Sequence, residues 1–249
     1  MTFTTVLVVD EDHLEQLKIV WPTWIAHRHE VMENPMVIVT DDIAYGPSIE
    51  FLFHEQNQPW LAFVDQRRKY MSHRHKMLSA FIAGASRFVK TDYWLKLDTD
   101  AIAMSRPADG VWIDSGWFLD KPAIVAPAWG YSKPPDIMER LDDWGDTVPA
   151  LRDRPRLELH PEPGSGLVRH RRITSWCSFY NTAWTRKVYG WYDGAAMPVE
   201  SQDSFAWYCA TRAGDMIRRV SMKQYGWNHI SRTSKLLELA KESLCDEST

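Results

Sequence analysis

Cysteine is scarce in this sequence, and its spacing suits neither disulfides nor a metal cluster. The 249 residues include three cysteines, Cys177, Cys209 and Cys245. Because their number is odd and no two lie close together in the chain, a disulfide framework and a structural zinc site are both excluded as organising features. We therefore expect reduced thiols and a cytoplasmic protein.

Long apolar runs and an excess of positive charge are also missing. No stretch approaches the roughly 20 apolar residues that a membrane-spanning helix needs. The first residues, MTFTTVLVVDEDH, lack the basic region and cleavage site of a signal peptide. The formal net charge of -4 argues against a general nucleic-acid-binding role. We therefore expect a globular protein without an integral membrane segment.

Short apolar runs alternate with helical segments through the first hundred residues. Clusters of β-branched and apolar residues predict strands at Thr5–Val9, Met36–Thr40, Trp60–Val64 and Tyr93–Leu97. Helices are predicted at His13–His29, with a bend or restart at Pro22, and at Ser72–Val89. This alternation is typical of a doubly wound α/β sheet with mostly parallel strands.

Acidic residues follow the last of these predicted strands. Asp98 and Asp100 come directly after it, as Asp-Thr-Asp. In an extended segment residues i and i+2 project to the same side, and adjacent carboxylates repel each other unless a cation joins them. Because open α/β sheets bind ligands beyond the carboxyl ends of their strands, the pair predicts a site for Mg²⁺ or Mn²⁺ with substrate phosphates. A simple turn, where Asp is common, remains the alternative.

The order of helix, apolar strand and D-x-D, with the segment YWLKLDTDAI, resembles the nucleotide-sugar motif of GT-A glycosyltransferases. The resemblance implies that the first half of the chain binds a nucleotide-sugar donor. The implied donor contacts follow the early strands, open the second helix or form the motif: Asp10, Asp41, Asp42, Arg74, Lys76, Asp98, Thr99 and Asp100. Asp41 or Asp42 would accept the imide N–H of uracil, and the basic pair would face pyrophosphate. Helix caps, turns and solvated basic residues are the alternatives.

The second half has a less regular beginning and a clear pattern at its end. Strands are predicted at Ala123–Ala126, Ile173–Tyr180 and Met216–Val220. Helices are predicted at Pro135–Trp144 and Thr182–Tyr189, from Ser201 through Ala213 with Gly214 as the stop signal, and in the tail after Thr233. Between Gly145 and Arg172 a long irregular stretch with six arginines is expected to be a lid, a binding loop or a solvated surface loop.

A segment reading Gly190-Trp191-Tyr192-Asp193, followed by Gln202-Asp203 at a predicted helix start, is similar to the acceptor half of inverting GT-A enzymes. The family-2 and β-galactosyltransferase-like groups are the nearest in pattern. The resemblance implies that Asp203 is the general base that removes the proton of an acceptor hydroxyl. Gln202 departs from the usual Glu at its position, and Glu200 is close enough in sequence to be a rival base.

Three further residues are implied contacts of the acceptor sugar, and one is an implied metal ligand. Trp129, Trp191 and Asp193 are the acceptor candidates, although either tryptophan would equally suit a core. The segment His229-Ile230-Ser231-Arg232 resembles the H-x-R and H-S-R segments of galactosyltransferase-like members. This implies that His229 joins Asp98 and Asp100 around a metal, with Mn²⁺ suiting an imidazole better than Mg²⁺. A structural histidine is the alternative.

The resemblance implies one Rossmann-like GT-A domain with a doubly wound mixed sheet. Residues 1–104 would bind the donor and residues 105–232 the acceptor, with a helix and tail at 233–249. The expected reaction is metal-dependent transfer from a nucleoside-diphosphate sugar, UDP-linked, to a hydroxyl acceptor with inversion. A retaining transferase and a non-catalytic carbohydrate- or nucleotide-binding protein of this fold are the alternatives. A sugar-nucleotide pyrophosphorylase is disfavoured because VVDEDHLEQ, after the first strand, contains no glycine.

Overall fold

The structure is a computed structural model of the 249-residue chain. It describes residues 1–9, 11–40, 61–65, 73–104, 112–127, 131–133, 135–158, 163–164, 168–170, 173, 176–190, 202–221, 226–229 and 233–245. In this part of the chain, every helix is too short or too polar to cross a bilayer.

The first half alternates strands with helices, as the apolar pattern predicts. Its elements are β1 (Thr4–Val9), α1 (Glu11–His27), α2 (His29–Glu33), β2 (Met36–Thr40), β3 (Leu61–Asp65), α3 (His73–Ala85), β4 (Tyr93–Leu97) and β5 (Ala101–Ala103). Pro22 lies inside α1, and the helix restarts only after Arg28. Of the two outcomes predicted at Pro22, a bend or a restart, the restart does not occur, because burial of Trp21 and Trp24 holds this turn of helix against the core.

The second half contains shorter elements. Its described strands and helices are β6 (Ile124–Pro127), β7 (Tyr131–Lys133), α4 (Pro135–Thr147), β8 (Val168–His170), β9 (Cys177–Asn181), α5 (Thr182–Tyr189), α6 (Gln202–Ala213), β10 (Ile217–Val220), β11 (Trp227–His229) and α7 (Thr233–Cys245). Short 3₁₀ turns are also described at Ser115–Phe118 and Pro149–Leu151. The predicted irregular stretch from Gly145 to Arg172 thus contains the end of α4, a 3₁₀ turn and β8. These short elements carry little periodicity, so the sequence does not predict them.

In the part of the chain that the structure describes, seven strands form one mixed sheet in the order β10-β6-β9-β4-β1-β2-β3. Strands β4, β1, β2 and β3 are mutually parallel, as are β10 and β6. Strand β9 is antiparallel to both of its neighbours, β4 and β6. The predicted doubly wound mixed α/β sheet is confirmed, and the carboxyl ends of β1, β2, β3 and β4 share one edge.

Two antiparallel pairs lie beside the main sheet. β5 pairs with β11, and β7 pairs with β8. Each strand is three residues long, which is why the sequence gives no strand signal for them. The first pair positions the candidate site described below.

The two faces of the sheet bury different apolar clusters, and β4 shows the alternation. Leu95 and Leu97 pack into the cluster that contains residues of α1 and α7, such as Leu17 and Leu236. Trp94 packs into the opposite cluster, with residues of α3, α5 and α6. Because side chains alternate along a strand, Lys96 is on the same face as Trp94, among apolar neighbours.

Trp94 sets the packing distance between β4 and α3. Its indole stacks on Tyr180, with ring centroids 4.8 Å apart, and its Nε1 donates to Thr185 Oγ1 at 2.9 Å. Gly84 of α3 lies against the same indole, and a Cβ at this position would be 2.3 Å from Cε2 of the ring. A larger residue at position 84 therefore has no room.

We expect Gly84→Ala to lower the free energy of unfolding by about 1–2 kcal/mol, because overpacking outweighs the gain in helix propensity. Urea denaturation of the wild type and the variant measures this difference. In a Trp94→Phe background, which lacks the clashing ring atoms, the cost of Gly84→Ala should be clearly smaller. An equal cost in both backgrounds would contradict this account of the contact.

Candidate active site

The Asp-Thr-Asp segment forms a tight connection between β4 and β5. The backbone N–H of Asp98 donates to the carbonyl of Trp176 at 2.8 Å, and the N–H of Ala101 donates back to the carbonyl of Asp98 at 3.0 Å. The turn therefore lies at the carboxyl end of β4, where an open α/β sheet binds its ligands. Thr99, between the two acids, is buried.

The pairing of β5 with β11 brings a histidine to this turn. His229 is in register with Ala101, the residue after Asp100. Its Nε2 lies 3.1 Å from Asp100 Oδ1, and its ring stacks on Trp176 with centroids 5.6 Å apart. Asp98, Asp100 and His229 each offer a ligand atom, and these atoms all lie within 4.8 Å of one another. The structure thus brings together all three residues that the resemblance assigns to a metal.

This ligand set fits a divalent cation. Ligand atoms lie about 2.0–2.1 Å from a Mg²⁺ ion, so two atoms on opposite sides of the ion are roughly 4.2 Å apart. The three ligand atoms here lie within 4.8 Å of one another, so binding an ion would need them to move by well under an ångström. Two carboxylates and an imidazole are acceptable ligands for Mn²⁺. The side chains of Asp98, Asp100 and His229 are 24%, 13% and 35% exposed, so an ion could reach them from solvent.

The electrostatics of the three groups differ. Burial raises the pKa of Asp98, and the charge of Lys96 offsets this only in part, so the pKa lies above its ordinary value. Burial also raises the pKa of Asp100, but the hydrogen bond and charge of His229 outweigh it, and the pKa is lowered overall. Burial lowers the pKa of His229, but the hydrogen bond and charge of Asp100, together with the charge of Asp98, outweigh this effect, and the pKa is raised overall. The charge of His13 in α1 also lowers the pKa of Asp100.

The strand pair β5–β11 is fastened to the helices on the α1 side of the sheet. Trp24 Nε1 donates to the carbonyl of Ala101 at 2.7 Å, and Ser243 Oγ of α7 donates to the carbonyl of Ala103 at 2.8 Å. The N–H of Ala103 donates to Thr23 Oγ1 at 3.2 Å. Packing of α1 and α7 therefore fixes the ribbon that carries one side of the site.

A buried arginine also supports this ribbon. Arg28, in the single residue between α1 and α2, donates to the carbonyl of Gly226, just before β11, and to that of His27 at 2.6 Å. Its guanidinium lies 5.4 Å from the ring centroid of Trp112 and 5.3 Å from that of Trp227. No local pattern marks Arg28 in the sequence, because a lone arginine at a helix end is usually exposed to solvent.

Lys96 is a second charged residue whose burial the sequence pattern does not predict. Its side chain is 2% exposed, and its Nζ contacts Asp98 Oδ1. The sequence does contain one indication of its role. Lys96 is the only charged residue in the apolar run YWLKL, and it precedes Asp98 by two residues.

Helix α6, the predicted carrier of the catalytic base, is fixed at its C-terminal end. Arg212 Nη2 lies 2.7 Å from Asp146 Oδ1 of α4 and donates to the carbonyl of Arg154 at 2.8 Å. Gly214 follows the helix with a φ of 75°, so the predicted glycine stop is confirmed. Arg212 therefore joins α6 to α4.

Other predicted site residues lie outside the described residues. These are Asp10, Asp41, Asp42, Trp129, Trp191, Asp193 and Glu200. Arg74 and Lys76 are in the first turn of α3 and Asp203 is in the first turn of α6, and only their backbone is described. Their roles stay predictions.

No known protein-family profile matches this chain, and no curated protein matches it in sequence. Solved structures do match. The galactosyltransferase LgtC, in complex with donor and acceptor sugar analogues, has a TM-score of 0.52 and 11% identity over 97% of this chain and 96% of that chain. Core-mannan synthase A from Aspergillus fumigatus, in an Mn/GDP form, has a TM-score of 0.51 and 9% identity over 92% and 75%.

A mannosyltransferase from Pyrobaculum calidifontis, in complex with GDP-Man and Mn²⁺, also matches. Its TM-score is 0.51 at 12% identity, and the match covers 88% of this chain and 55% of that one. At such low identities the similarity shows a shared fold. The predicted GT-A type of α/β fold is therefore confirmed.

The ion pair between His229 and Asp100 makes the stability of the metal-free protein depend on pH. Folding raises the pKa of His229. The contribution of this histidine to the stability of the fold is therefore complete at pH values below its unfolded pKa of 6.5, and it is lost as the pH rises through the folded pKa. Because folding lowers the pKa of Asp100, its contribution is present above 3.8 and is lost as the pH falls through the folded pKa. The pair therefore stabilises the fold most in mildly acidic solution.

Asp100→Asn removes the charge that raises the pKa of His229, and we expect this pKa to fall to the ordinary value of about 6.5 or below. An NMR titration of the imidazole without metal measures the change. The same substitution at exposed Asp153 is the control and should leave the pKa of His229 where it is. If Asp100→Asn also left it there, the assigned ion pair would be wrong.

Proposed function

We propose that this protein transfers a sugar from a nucleoside-diphosphate sugar to a hydroxyl acceptor in a reaction that needs a divalent metal. One observation carries the proposal: Asp98, Asp100 and His229 converge at the carboxyl end of β4. The fold around them is shared with proteins described as a galactosyltransferase, a mannan synthase and a mannosyltransferase. In this proposal residues 1–104 bind the donor and residues 105–232 the acceptor.

The three residues of the cluster could hold a cation that stabilises the negative charge on a diphosphate leaving group. Asp98, Asp100 and His229 would hold Mn²⁺ or Mg²⁺, which when bound supplies positive charge to the departing diphosphate. Arg74 and Lys76, in the first turn of α3, follow β3 and so start from the same edge of the sheet. Their side chains are our candidates for contacts to the diphosphate.

The proposal allows two donor nucleotides, which differ in their base: uracil or guanine. The resemblance in sequence implies uracil, with Asp41 or Asp42 accepting its imide N–H. Two similar structures carry GDP or GDP-mannose together with manganese. Guanine also offers an imide N–H, so the same carboxylate would serve either base. UDP- and GDP-linked donors therefore enter the first binding experiment together.

Inversion at the anomeric carbon is the finer part of the proposal. A single displacement needs a group that removes the proton of the acceptor hydroxyl, and Asp203 is our candidate. Its position in the first turn of α6 favours the ionised carboxylate, because the helix dipole stabilises negative charge there. Glu200 is the rival base. Trp129, Trp191 and Asp193 are the proposed acceptor contacts.

We expect GDP or UDP to raise the melting temperature of the protein in the presence of Mn²⁺, because a ligand that binds only the native state stabilises it. Asp100→Ala should abolish the Mn²⁺-dependent part of the shift. Asp153→Ala, which removes an exposed acid outside the cluster, should keep it.

An absence of any shift with either nucleotide and Mn²⁺ would contradict the proposed activity and leave the shared fold alone. A shift without donor hydrolysis or transfer would point to the non-catalytic binding protein.

The anomeric configuration of the product, followed by NMR, tests the mechanism. We expect inversion, and we expect Asp203→Asn to lower kcat by about 10²–10⁴-fold, the usual contribution of a general base. The nucleotide-induced thermal shift should be unchanged in this variant. If Glu200→Gln caused the loss instead, the base would be Glu200, and a product of retained configuration would overturn inversion.

A further inference from the structure

Lys96 is a buried cation two residues before the candidate metal ligand Asp98. It lies in β4, in register with Val6 of β1 on one side and with Ser178 of β9 on the other. Its side chain is 2% exposed. A charged group removed from water in this way is strongly destabilising unless a partner compensates for the lost hydration. A lysine in this strand therefore needs a reason beyond packing.

The partner of Lys96 is the first acid of the Asp-Thr-Asp turn. The ammonium contacts Asp98 Oδ1, so one oxygen of this carboxylate is committed to the lysine. The spacing of two residues places both side chains on the same face of the extended chain. This contact holds the carboxylate of Asp98 in one orientation.

The lysine also changes the charge that a metal ion meets. Asp98 and Asp100 bring two negative charges to the cluster, and Lys96 cancels one of them, so with a neutral His229 the sum is about -1. A divalent cation would then leave the site with an excess of positive charge. Because all these groups are partly or fully shielded from water, this excess is poorly screened.

We propose that Lys96 is a positioning residue that holds Asp98 in place and weakens the grip of the cluster on a divalent metal by itself. The ion then binds well only together with an anionic diphosphate, which neutralises the remaining positive charge. The coupling is reciprocal, so the metal strengthens diphosphate binding by the same factor. This inference rests on the proposed function, since it assigns the diphosphate of the donor to the Asp98–Asp100–His229 cluster.

The experiment measures the dissociation constant of Mn²⁺ from the EPR signal of the free ion. It uses the protein alone and with GDP or UDP, and protein-free samples correct for Mn²⁺ bound to nucleotide in solution. Guanosine and uridine, which lack the phosphates, are the ligand controls. For the wild type we expect weak binding of Mn²⁺ alone, at least about tenfold tighter binding with one of the nucleotides, and no change with the nucleosides.

Lys96→Met removes the charge with little change in shape, and Lys96→Gln does so while it keeps a hydrogen-bond donor. In both variants we expect Mn²⁺ alone to bind about tenfold more tightly and the gain from the nucleotide to shrink accordingly. Lys90→Met makes the same change at an exposed lysine and should match the wild type. Damage to the fold would lower the affinity for Mn²⁺. Tighter binding of Mn²⁺ by the Lys96 variants would therefore distinguish the proposed role of Lys96 from a purely structural one.

Unchanged or weaker binding of Mn²⁺ alone in the folded variants would overturn the inference. So would tight binding of Mn²⁺ alone by the wild type, a result that needs no variant to fold. If neither nucleotide bound the wild type, the proposed function would fail and the coupling with it. Tighter Mn²⁺ binding in Lys96→Met would still support the role of Lys96 toward the metal.

Discussion

The pairing of β5 with β11 is the constraint on which the candidate site depends. It sets His229 opposite Ala101 and so brings an imidazole from near residue 230 to a carboxylate at residue 100. Three-residue strands cannot hold such a register by their own hydrogen bonds. The helices α1 and α7 and the buried Arg28 hold the ribbon instead, through bonds to the backbone at residues 101, 103 and 226.

The charged side chains that the structure describes around the Asp-Thr-Asp turn include two pairs. Lys96 contacts Asp98, and His229 contacts Asp100, so each carboxylate has a cationic or protonatable partner. This arrangement lets two adjacent acids remain in a part-buried turn without a ligand. It also means that a metal ion competes with a proton at His229 and meets the charge of Lys96. The residues that stabilise the two carboxylates therefore also limit how strongly the site binds a cation.

The larger elements follow from local pattern. The alternation of apolar strands and helices predicts β1, β2 and β4 within a residue, and Gly214 predicts the end of α6, because burial on a sheet face and helix termination leave signals in neighbouring residues. The Asp-Thr-Asp turn was found in the same way. A restart of the helix at Pro22 does not occur, because core packing by Trp21 and Trp24 outweighs a local helix breaker.

The α/β class, the succession of the main strands along the chain and the acidic turn follow from the residues alone, since each depends on positions a few apart. The antiparallel entry of β9 into the sheet, the contact of His229 with Asp100 and the burial of Lys96 against Asp98 follow only from the folded chain. Each of these depends on strand neighbours far apart in the chain or on the loss of solvent around a charge. Neither property is encoded in any short stretch of residues.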